Sequence, residues 1–317
     1  MADSQYILEV NNLCQHFSSG RGKKKLTVKA VDDVTFGVRP AETFGLVGES
    51  GCGKTTTGRT IIRLYDPTGG EVLFNGRDIA GKMNADLRKY LTDNIAMIFQ
   101  DPIESLNPKM TIEEIIGEGL TVRGMKDKAE IRKLVVEMLR KVGLVEEHAT
   151  RYPHEFSGGQ RQRIGIARAI IVKPKLIIAD EPVSALDVSV QAQVINLMND
   201  LKEEMGLTIL FIAHNLSVVK YFSDRIGVMY FGHLVEVANG EDLYKNPLHP
   251  YTKALLSAIP EPNPITERQR VRVDYVPDRD HDYSNEKPSM VEVEPEHFVY
   301  CSPSELAKYR EQIAANA

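Results

Sequence analysis

The residues most suited to chemistry form a glycine-rich run at 48–55, Gly-Glu-Ser-Gly-Cys-Gly-Lys-Thr. This run matches the pattern G-x-x-x-x-G-K-[ST], whose glycines let backbone N–H groups turn inward around phosphate oxygens. It follows the apolar run FGLV and precedes a helix-patterned segment, so a helix N-terminus would add its positive end. We expect Lys54 to reach the β- and γ-phosphates of a nucleotide and the Thr55 hydroxyl to bind Mg²⁺. The residues expected around the phosphates are Gly48, Glu49, Ser50, Gly51, Cys52, Gly53, Lys54, Thr55 and Thr56.

A second apolar run, LIIA, ends in the carboxylates Asp180 and Glu181. In open α/β folds, ligands bind at the carboxyl ends of parallel strands. We expect Asp180 to hold Mg²⁺, directly or through water, and Glu181 to act as a general base on an attacking water. Many strands end in acidic residues for no catalytic reason. The phosphate-binding pattern in the same chain favours the hydrolytic interpretation.

A third feature is the run Ser157-Gly-Gly-Gln160, which follows Phe156 and opens a basic, helix-patterned segment. A serine followed by glycines at a helix start is typical of an N-cap and of an anion-binding helix terminus. One triphosphate needs only one anion-binding helix terminus of this kind per chain. The second one suggests contact with nucleotide that is bound to another subunit, while the alternative is a simple N-cap.

The spacing of apolar residues predicts the elements that position these groups. Five short apolar runs without alternation indicate strands covered on both faces of a mostly parallel sheet. These runs are FGLVG (44–48), IAMIFQ (95–100), KLIIADE (175–181), LTILFIAH (207–214) and RIGVMYFG (225–232). Alternation in 6–17, 27–38 and 71–79 predicts a small antiparallel sheet. A helical insertion is expected at about 102–172, with Thr111 as an N-cap.

Composition limits the function classes. The chain has 317 residues, with 39 Lys and Arg against 44 Asp and Glu, so its charge gives no argument for binding nucleic acid. Its apolar runs are far shorter than the ~20 residues of a membrane-spanning helix, and the start MADSQYILEV does not resemble a signal peptide. Cys14, Cys52 and Cys301 are widely spaced without a C-x-x-C pair, so we expect neither a disulfide framework nor a zinc site.

The C-terminal part reads as a small extension. A cluster formed by Pro260, Pro262 and Pro264 predicts a linker, and residues 290–300 show partial strand alternation. Ser302, followed by a proline and then a glutamate at the third position, predicts the start of a last helix. We therefore expect a nucleotide-binding domain at 1–258 and an extension at 259–317.

The order of these motifs resembles the nucleotide-binding subunits of ABC transporters. The resemblance adds Gln100, the run Ser184-Ala-Leu-Asp187 and His214 to the motifs above, and covers roughly residues 5–258. MIFQDPIESLNPKMT (97–111) and NPLHPYTKALLSAIP (246–260) are similar to the oligopeptide/dipeptide permease branch. The segment DHDYSNEKPSMVEVEPEHFVY (280–300) is most similar to the tail of the OppF-type subunit.

The resemblance implies a P-loop NTPase fold of the ABC type. It has a RecA-like, mostly parallel sheet as its core, an N-terminal antiparallel β subdomain, a helical subdomain and a small C-terminal extension. It also implies ATP as the nucleotide and ATP hydrolysis as the reaction. By this resemblance, Glu181, His214 and Lys54 are catalytic, and Thr55, Gln100 and Asp180 bind Mg²⁺. Phe17 is implied to stack on adenine, with Tyr6 as the weaker rival. Residues that would bind ATP held by the partner subunit are Ser157, Gly158, Gly159 and Gln160, and Asp187 would lie at the dimer interface.

The implied partners are an OppD-like paralogous ATPase or a second copy, two membrane-spanning permease subunits and, indirectly, an extracytoplasmic solute-binding protein. The implied location is the cytoplasmic face of the membrane, with no role for nucleic acid. Related tails often carry four cysteines and, in some members, an iron–sulfur site. This tail has only Cys301, so no such cluster is expected. Two alternatives stay open: a soluble ABC-type ATPase of translation or DNA repair, and an importer ATPase for nickel or glutathione.

Overall fold

The computed structural model describes residues 5–20, 26–260 and 271–316. Pro262 and Pro264 of the predicted linker lie outside these residues. The strands are β1 (Leu8–Ser19), β2 (Leu26–Val38), β3 (Thr43–Val47), β4 (Gly69–Phe74), β5 (Arg77–Asp78), β6 (Ile95–Ile98), β7 (Leu176–Asp180), β8 (Thr208–Ala213), β9 (Arg225–Tyr230), β10 (His233–Asn239), β11 (Ser289–Glu294) and β12 (His297–Cys301).

The larger sheet has the strand order β11-β12-β10-β9-β3-β8-β7-β6. The strands from β9 to β6 are parallel neighbours, while β10, β12 and β11 are antiparallel additions at one edge. Every residue of β3, β7 and β8 is buried. This burial confirms the predicted sheet with both faces covered, since a strand between two layers needs apolar side chains on both sides.

The smaller sheet is antiparallel, with the order β2-β1-β4-β5. Asn75 and Gly76 connect β4 to β5, and both have positive φ values, 49° and 70°. A two-residue hairpin of this kind needs left-handed backbone at both positions, which Asn and Gly tolerate best. The predicted N-terminal antiparallel sheet is confirmed.

The helices mostly cover the larger sheet. Their bounds are α1 (Lys54–Ile61), α2 (Ala85–Asn94), α3 (Ile112–Val122), α4 (Lys128–Lys141), α5 (Gly158–Ile170), α6 (Val188–Met205), α7 (Leu216–Val219), α8 (Gly240–Lys245), α9 (Pro250–Ser257), α10 (Pro277–Asp280) and α11 (Pro303–Asn316). No helix within the described ranges is both long and apolar enough to cross a bilayer.

Helices α3, α4 and α5 form the inserted unit between β6 and β7. Thr111 begins α3 as predicted: its N–H donates to Glu114 Oε2 at 2.7 Å, and the Glu114 N–H donates to Thr111 Oγ1 at 3.3 Å. The unit packs around buried Ile115, Leu139 and Ile164. A predominantly helical insertion within the α/β domain is therefore confirmed.

The C-terminal hairpin joins the larger sheet. In β12, Val299 lies opposite Glu236 of β10, and β11 pairs with β12 on the outer side. The predicted capping of the last helix is present, because the Ser302 N–H donates to Glu305 Oε2 at 2.8 Å. The described part of the tail is thus an extension of the sheet edge, where a sequence pattern alone indicated only a small appendage.

His249 is a buried histidine at the start of α9. Its Nδ1 accepts the Tyr251 N–H at 3.1 Å, so the ring acts as an N-cap. Burial, assisted by the nearby His281 and Lys253, lowers the pKa of His249 to about 3. The folded protein therefore keeps this ring neutral well below the usual histidine range.

We expect this neutral histidine to make stability depend on pH. Between pH 6.5 and about 3 the unfolded chain binds a proton that folded His249 excludes, so the free energy of unfolding falls as pH decreases. His249→Asn keeps a capping acceptor and should remove up to about 1.4 kcal/mol per pH unit from this slope. Denaturant unfolding between pH 6.5 and 4.5 measures it, with the exposed His154→Asn as control. If the native chain, His249→Asn and His154→Asn all showed the same dependence of the unfolding free energy on pH, His249 would not be the group responsible.

Candidate active site

The glycine-rich loop connects β3 to α1 and is shaped by close backbone contacts. Gly53 immediately precedes α1 with φ 111°, and a Cβ there would lie 2.2 Å from the Ala30 carbonyl oxygen. At Gly48 an added Cβ would lie 2.2 Å from the Met229 carbonyl oxygen. Strands β2 and β9 therefore leave space at these positions for glycine alone, which is the physical basis of the motif.

Gly53→Ala tests this packing. We expect a loss of about 1–3 kcal/mol in the free energy of unfolding, because alanine meets both an unfavourable φ and a backbone oxygen. Gly165→Ala is the matched control: it lies inside α5, no atom outside the local helix lies within 4 Å of its added Cβ, and a stabilisation of about 0.5–1 kcal/mol is expected. Chemical denaturation gives the free energy of unfolding of both variants. Equal values would show that an alanine Cβ at position 53 meets no steric conflict.

Lys54 is buried and folded back over the loop. Its Nζ donates to the carbonyl oxygens of Gly48 at 2.8 Å and Glu49 at 2.9 Å. The Glu49 N–H in turn donates to the Tyr251 hydroxyl at 3.1 Å, which ties the loop to α9. The ammonium group is thereby held at the loop, where anionic oxygens would compete with the two carbonyls for its protons.

Asp180, the last residue of β7, lies beside the start of α1. Thr55 donates from Oγ1 to Asp180 Oδ1 at 2.7 Å, and Arg59 lies 3.8 Å from Oδ2. Burial raises the pKa of the Asp180 carboxyl, while the Thr55 hydrogen bond and the Arg59 charge act in the opposite direction. Oδ2 is buried and accepts no hydrogen bond from the described residues. The carboxylate therefore keeps one oxygen that pairs with the Arg59 charge and accepts no hydrogen bond within the described ranges.

Glu181 follows with a left-handed backbone, φ 44°, and its side chain receives two neighbours. Gln100 donates from Nε2 to Glu181 Oε2 at 3.1 Å, and His214 Nδ1 lies 3.0 Å from the same oxygen. A non-glycine residue in this conformation costs free energy, and such strain recurs at functional sites. The arrangement points a carboxylate, supported from β6 and β8, toward the loop.

These groups surround one cavity of about 370 Å³. Its lining residues are Ala30, Ser50, Gly51, Gly53, Lys54, Thr55, Thr56, Gln100, Glu181 and His214. The structure thus brings together most of the expected phosphate-binding residues and all three expected catalytic residues. Gly48, Glu49 and Cys52 belong to the same loop, and Asp180 touches it through Thr55.

Other predicted site residues lie away from this cavity. Ser157 begins α5, with the Gln160 N–H donating to its hydroxyl at 3.4 Å, and Ser157 and Gly158 are exposed. Asp187 is exposed at the start of α6. None of these lines the cavity among the residues that the structure describes. The run at 157–160 therefore lies outside the lining of its own chain's cavity, as far as the described residues show, and its first two residues are exposed.

The aromatic candidates separate clearly. Phe17 on β1 is 39% exposed and packs edge-to-face on Tyr65, with ring centroids 5.3 Å apart. Tyr6 instead covers Gly37 and lines a different cavity, together with Phe36. Phe17 therefore keeps part of its ring exposed, whereas Tyr6 belongs to the junction of the two sheets.

Two contributors were missed by sequence reasoning. Arg59 pairs with Asp180, and its spacing of four residues from Thr55 on one helix face was an available signal. Tyr251 supports the Glu49 N–H from 202 residues away, and no local pattern points to that contact. Both residues support loop and carboxylate positions, and neither lines the cavity among the described residues.

The geometry matches one class of chemistry. A glycine-rich loop at a helix N-terminus with a lysine binds phosphate, and a carboxylate that lines the same cavity can accept a proton from water. The buried Asp180 with its hydroxyl partner adds oxygen donors suited to a hard cation. The site is thus that of a P-loop nucleotide hydrolase.

Comparison with known proteins narrows this class. Residues 31–184 match the family described as ABC transporter, and residues 235–283 match the family described as oligopeptide/dipeptide transporter, C-terminal region. The chain is 58% identical to the oligopeptide transport ATP-binding protein OppF of Bacillus subtilis (strain 168), over 96% of this chain and 99% of that protein. It is 52% identical to the dipeptide transport ATP-binding protein DppF of Lactococcus lactis subsp. cremoris, over 98% of each chain.

Solved structures agree on the fold. The ATP-binding cassette MJ0796, in a dimeric post-hydrolysis state bound to ADP and Pi, matches with a TM-score of 0.66 at 30% identity, covering 73% of this chain and 98% of that one. The chain cbiO1 from Clostridium perfringens matches with a TM-score of 0.67 at 26% identity, covering 76% and 92%. The chain belongs to the ABC transporter ATP-binding family, in its oligopeptide/dipeptide branch. It is an ABC-type ATPase.

Proposed function

We propose that this chain binds and hydrolyses ATP to energise an ABC importer of oligopeptides or dipeptides. The observation that carries the hydrolytic part is the single cavity that joins Lys54 and the glycine loop to Glu181. The peptide substrate is supported by curated relatives whose names specify oligopeptide or dipeptide transport and which align over nearly their whole length.

ATP would lie with its phosphates in the glycine loop. Ser50, Gly51 and Gly53 of the loop and the first residues of α1 line the cavity, and the positive end of that helix favours negative charge. Lys54 exchanges its bonds to the Gly48 and Glu49 carbonyls for the β- and γ-phosphates. The exposed ring of Phe17 stacks on the adenine base of ATP.

The side chains also fit a magnesium ion. Asp180 has a buried carboxylate oxygen that accepts no hydrogen bond within the described ranges, and Thr55 places a hydroxyl on the other oxygen. We assign Thr55, Asp180 and Gln100 as the groups that hold Mg²⁺, directly or through water. When bound, Mg²⁺ neutralises charge on the phosphate oxygens.

Glu181 then acts as the general base. Its Oε2 is fixed by Gln100 and His214, which follow the strands on either side of β7, so the carboxylate keeps one orientation while a water lies between it and the γ-phosphate. His214 holds the carboxylate and contacts the γ-phosphate. Gln100, on the segment that leads into the helical insertion, senses whether that phosphate is present.

The second half of the site comes from another chain. The N-terminus of α5 is exposed at Ser157 and Gly158, and the cavity of the same chain does not use it within the described residues. We assign Ser157, Gly158, Gly159 and Gln160 to ATP bound by a partner ATPase, with Asp187 at the interface. ATP favours the closed pair because only there do both surfaces contact it.

Gly158→Glu tests the trans contact. An added Cβ at Gly158 meets only Leu186 Cδ2 at an ordinary 3.5 Å, so the fold should tolerate the change. A carboxylate at this helix terminus would repel the partner's triphosphate. We expect ATP affinity of the isolated chain to be unchanged and turnover of the assembled complex to fall by about 100-fold.

The control for this variant is Val271→Glu, which adds the same charge at an exposed position of the C-terminal extension, outside the helical subdomain. It should keep normal turnover. If Gly158→Glu also turned over normally in the complex, Ser157–Gln160 would have no role in trans.

The proposed assembly contains this chain, a paralogous ATPase or a second copy, two membrane-spanning permease subunits and, indirectly, an extracytoplasmic solute-binding protein. The chain would sit at the cytoplasmic face of the membrane. Residues 1–258 would form the nucleotide-binding domain, with its helical subdomain at about 102–172, and residues 259–317 the extension. The helical subdomain would transmit closure to the permease.

The functional test is solute-dependent ATP turnover by the reconstituted complex. Peptide-loaded solute-binding protein should raise turnover above the basal rate, whereas nickel or glutathione presented in the same way should not. Stimulation by nickel or glutathione with no response to peptides would overturn the peptide assignment while leaving the ATPase assignment intact.

A further inference from the structure

Three metal-binding side chains meet at the edge of the smaller sheet, outside the ATP cavity. The ligand atoms of Cys14, His16 and Asp32 all lie within 4.8 Å of one another. His16 Nε2 is 2.9 Å from Asp32 Oδ1, and Cys14 Sγ is 3.9 Å from the same oxygen. Among the described residues this is the one group of three or more such side chains with this proximity.

The strand geometry explains why the three converge. Cys14 and His16 are two residues apart on β1, so both side chains lie on one face of the sheet. β1 is irregular here, with register shifts against β2 between Leu13 and His16. These shifts bring Asp32 of β2 beside Cys14 and His16, although Asp32 lies on a different strand and is distant from both in sequence.

Neighbouring groups also contact the ligand residues, and Cys14 Sγ donates to the Asn12 carbonyl at 3.5 Å. The Asp33 N–H donates to Cys14 Sγ at 3.4 Å, the kind of outer contact that supports metal-bound sulfur. Lys29 Nζ lies 3.0 Å from Asp32 Oδ2, which leaves Oδ1 facing Cys14 and His16.

The spacing fits tetrahedral coordination. With metal–sulfur and metal–nitrogen distances of about 2.3 and 2.0 Å, neighbouring ligand atoms are about 3.3–3.7 Å apart. The two separations that involve Asp32 Oδ1, 2.9 and 3.9 Å, bracket this range, and the third is no more than 4.8 Å, so coordination requires rotation of the side chains. His233 Nε2 lies 3.8 Å from the other Asp32 oxygen, Oδ2, and does not belong to the group of three ligands.

We propose that Cys14 Sγ, His16 Nε2 and Asp32 Oδ1 form a binding site for Zn²⁺ or a similar borderline-soft divalent cation, with water at the fourth position. Binding releases the Cys14 thiol proton to solvent, and neutral His16 presents its Nε2 lone pair. Mg²⁺ is excluded because it prefers oxygen ligands and octahedral geometry. The cysteine spacing predicted no zinc site, because that prediction considered only the distances between cysteines in the sequence.

The site is connected to the phosphate loop through the backbone. The Asp32 N–H donates to the Gly232 carbonyl at 2.9 Å, and the Gly232 N–H donates to the Cys52 carbonyl at 2.9 Å. Phe17 follows His16 directly on β1. A bound ion would therefore crosslink β1 and β2 next to the proposed adenine contact. It would also restrict the motion of the backbone that contacts the phosphate loop.

The test is titration of the full, nucleotide-free chain with Co²⁺, which reports thiolate coordination by absorption. We expect one equivalent to produce a thiolate-to-cobalt charge-transfer band, Zn²⁺ to displace it and excess Mg²⁺ to leave it unchanged. Cys14→Ser should abolish the band, and His16→Asn should weaken Co²⁺ binding about tenfold or more. The buried Cys301→Ser is the matched control and should keep the band.

Two results would overturn the proposal. One is the absence of a charge-transfer band at millimolar Co²⁺ with the native chain. The other is a band that persists in Cys14→Ser, since it would come from Cys52 or Cys301. His16→Asn, whose side chain is partly exposed, keeps the test decisive if Cys14→Ser does not fold.

Discussion

Glu181→Gln is expected to reduce ATP turnover by about 100-fold or more while leaving ATP affinity within about twofold of the native value. Glutamine keeps the shape of the side chain and an oxygen for the Gln100 amide, but it cannot accept a proton from water. The phosphate loop and Lys54 are unchanged, so binding should persist. Steady-state hydrolysis and equilibrium binding of labelled ATP measure the two effects separately.

Glu241→Gln provides the matched control. Glu241 is an exposed carboxylate on α8 that pairs with Lys245 at 2.9 Å, and such surface pairs contribute little. Its turnover should equal that of the native chain. Normal turnover in Glu181→Gln would show that another group accepts the proton.

Lys54→Ala should have the opposite signature, because it removes a contact to the phosphates themselves. Two charge-assisted hydrogen bonds are each worth about 1.5–3 kcal/mol, so we expect ATP affinity to fall by about 100-fold or more. The buried ammonium also bonds the Gly48 and Glu49 carbonyls, so the loop should loosen as well. ATP binding by the isolated chain gives the affinity directly.

Lys245→Ala is the corresponding control, since it removes the same charge from the exposed partner of Glu241. It should bind ATP as the native chain does. Tight ATP binding by Lys54→Ala would place the phosphates elsewhere and contradict the loop assignment.

Much of the fold could be predicted because its signals are local. Buried parallel strands need unbroken apolar runs, and all five such runs are strands of the larger sheet. The glycine loop was predictable for the same reason: Gly48 and Gly53 occupy places that a Cβ would fill, so the motif records a steric requirement.

What escaped prediction depends on distant contacts. The Tyr251 hydroxyl reaches the Glu49 N–H from α9, and β12 of the tail pairs with β10, although neither partner lies near the other in sequence. Asp32 joins Cys14 and His16 only because β1 and β2 pair with shifted register. Spacing rules for metal sites detect ligands on one segment, so a ligand from a neighbouring strand gives no local signal.

The most direct measurement is ATP-dependent uptake of a labelled oligopeptide into vesicles that carry the complete complex. With the native chain we predict accumulation that requires ATP inside and the solute-binding protein outside. With Glu181→Gln, uptake should fall to the level seen without ATP although the complex still binds ATP, and Glu241→Gln should behave as native. Undiminished ATP-driven uptake by the Glu181→Gln complex would contradict the claim that hydrolysis at this site powers import.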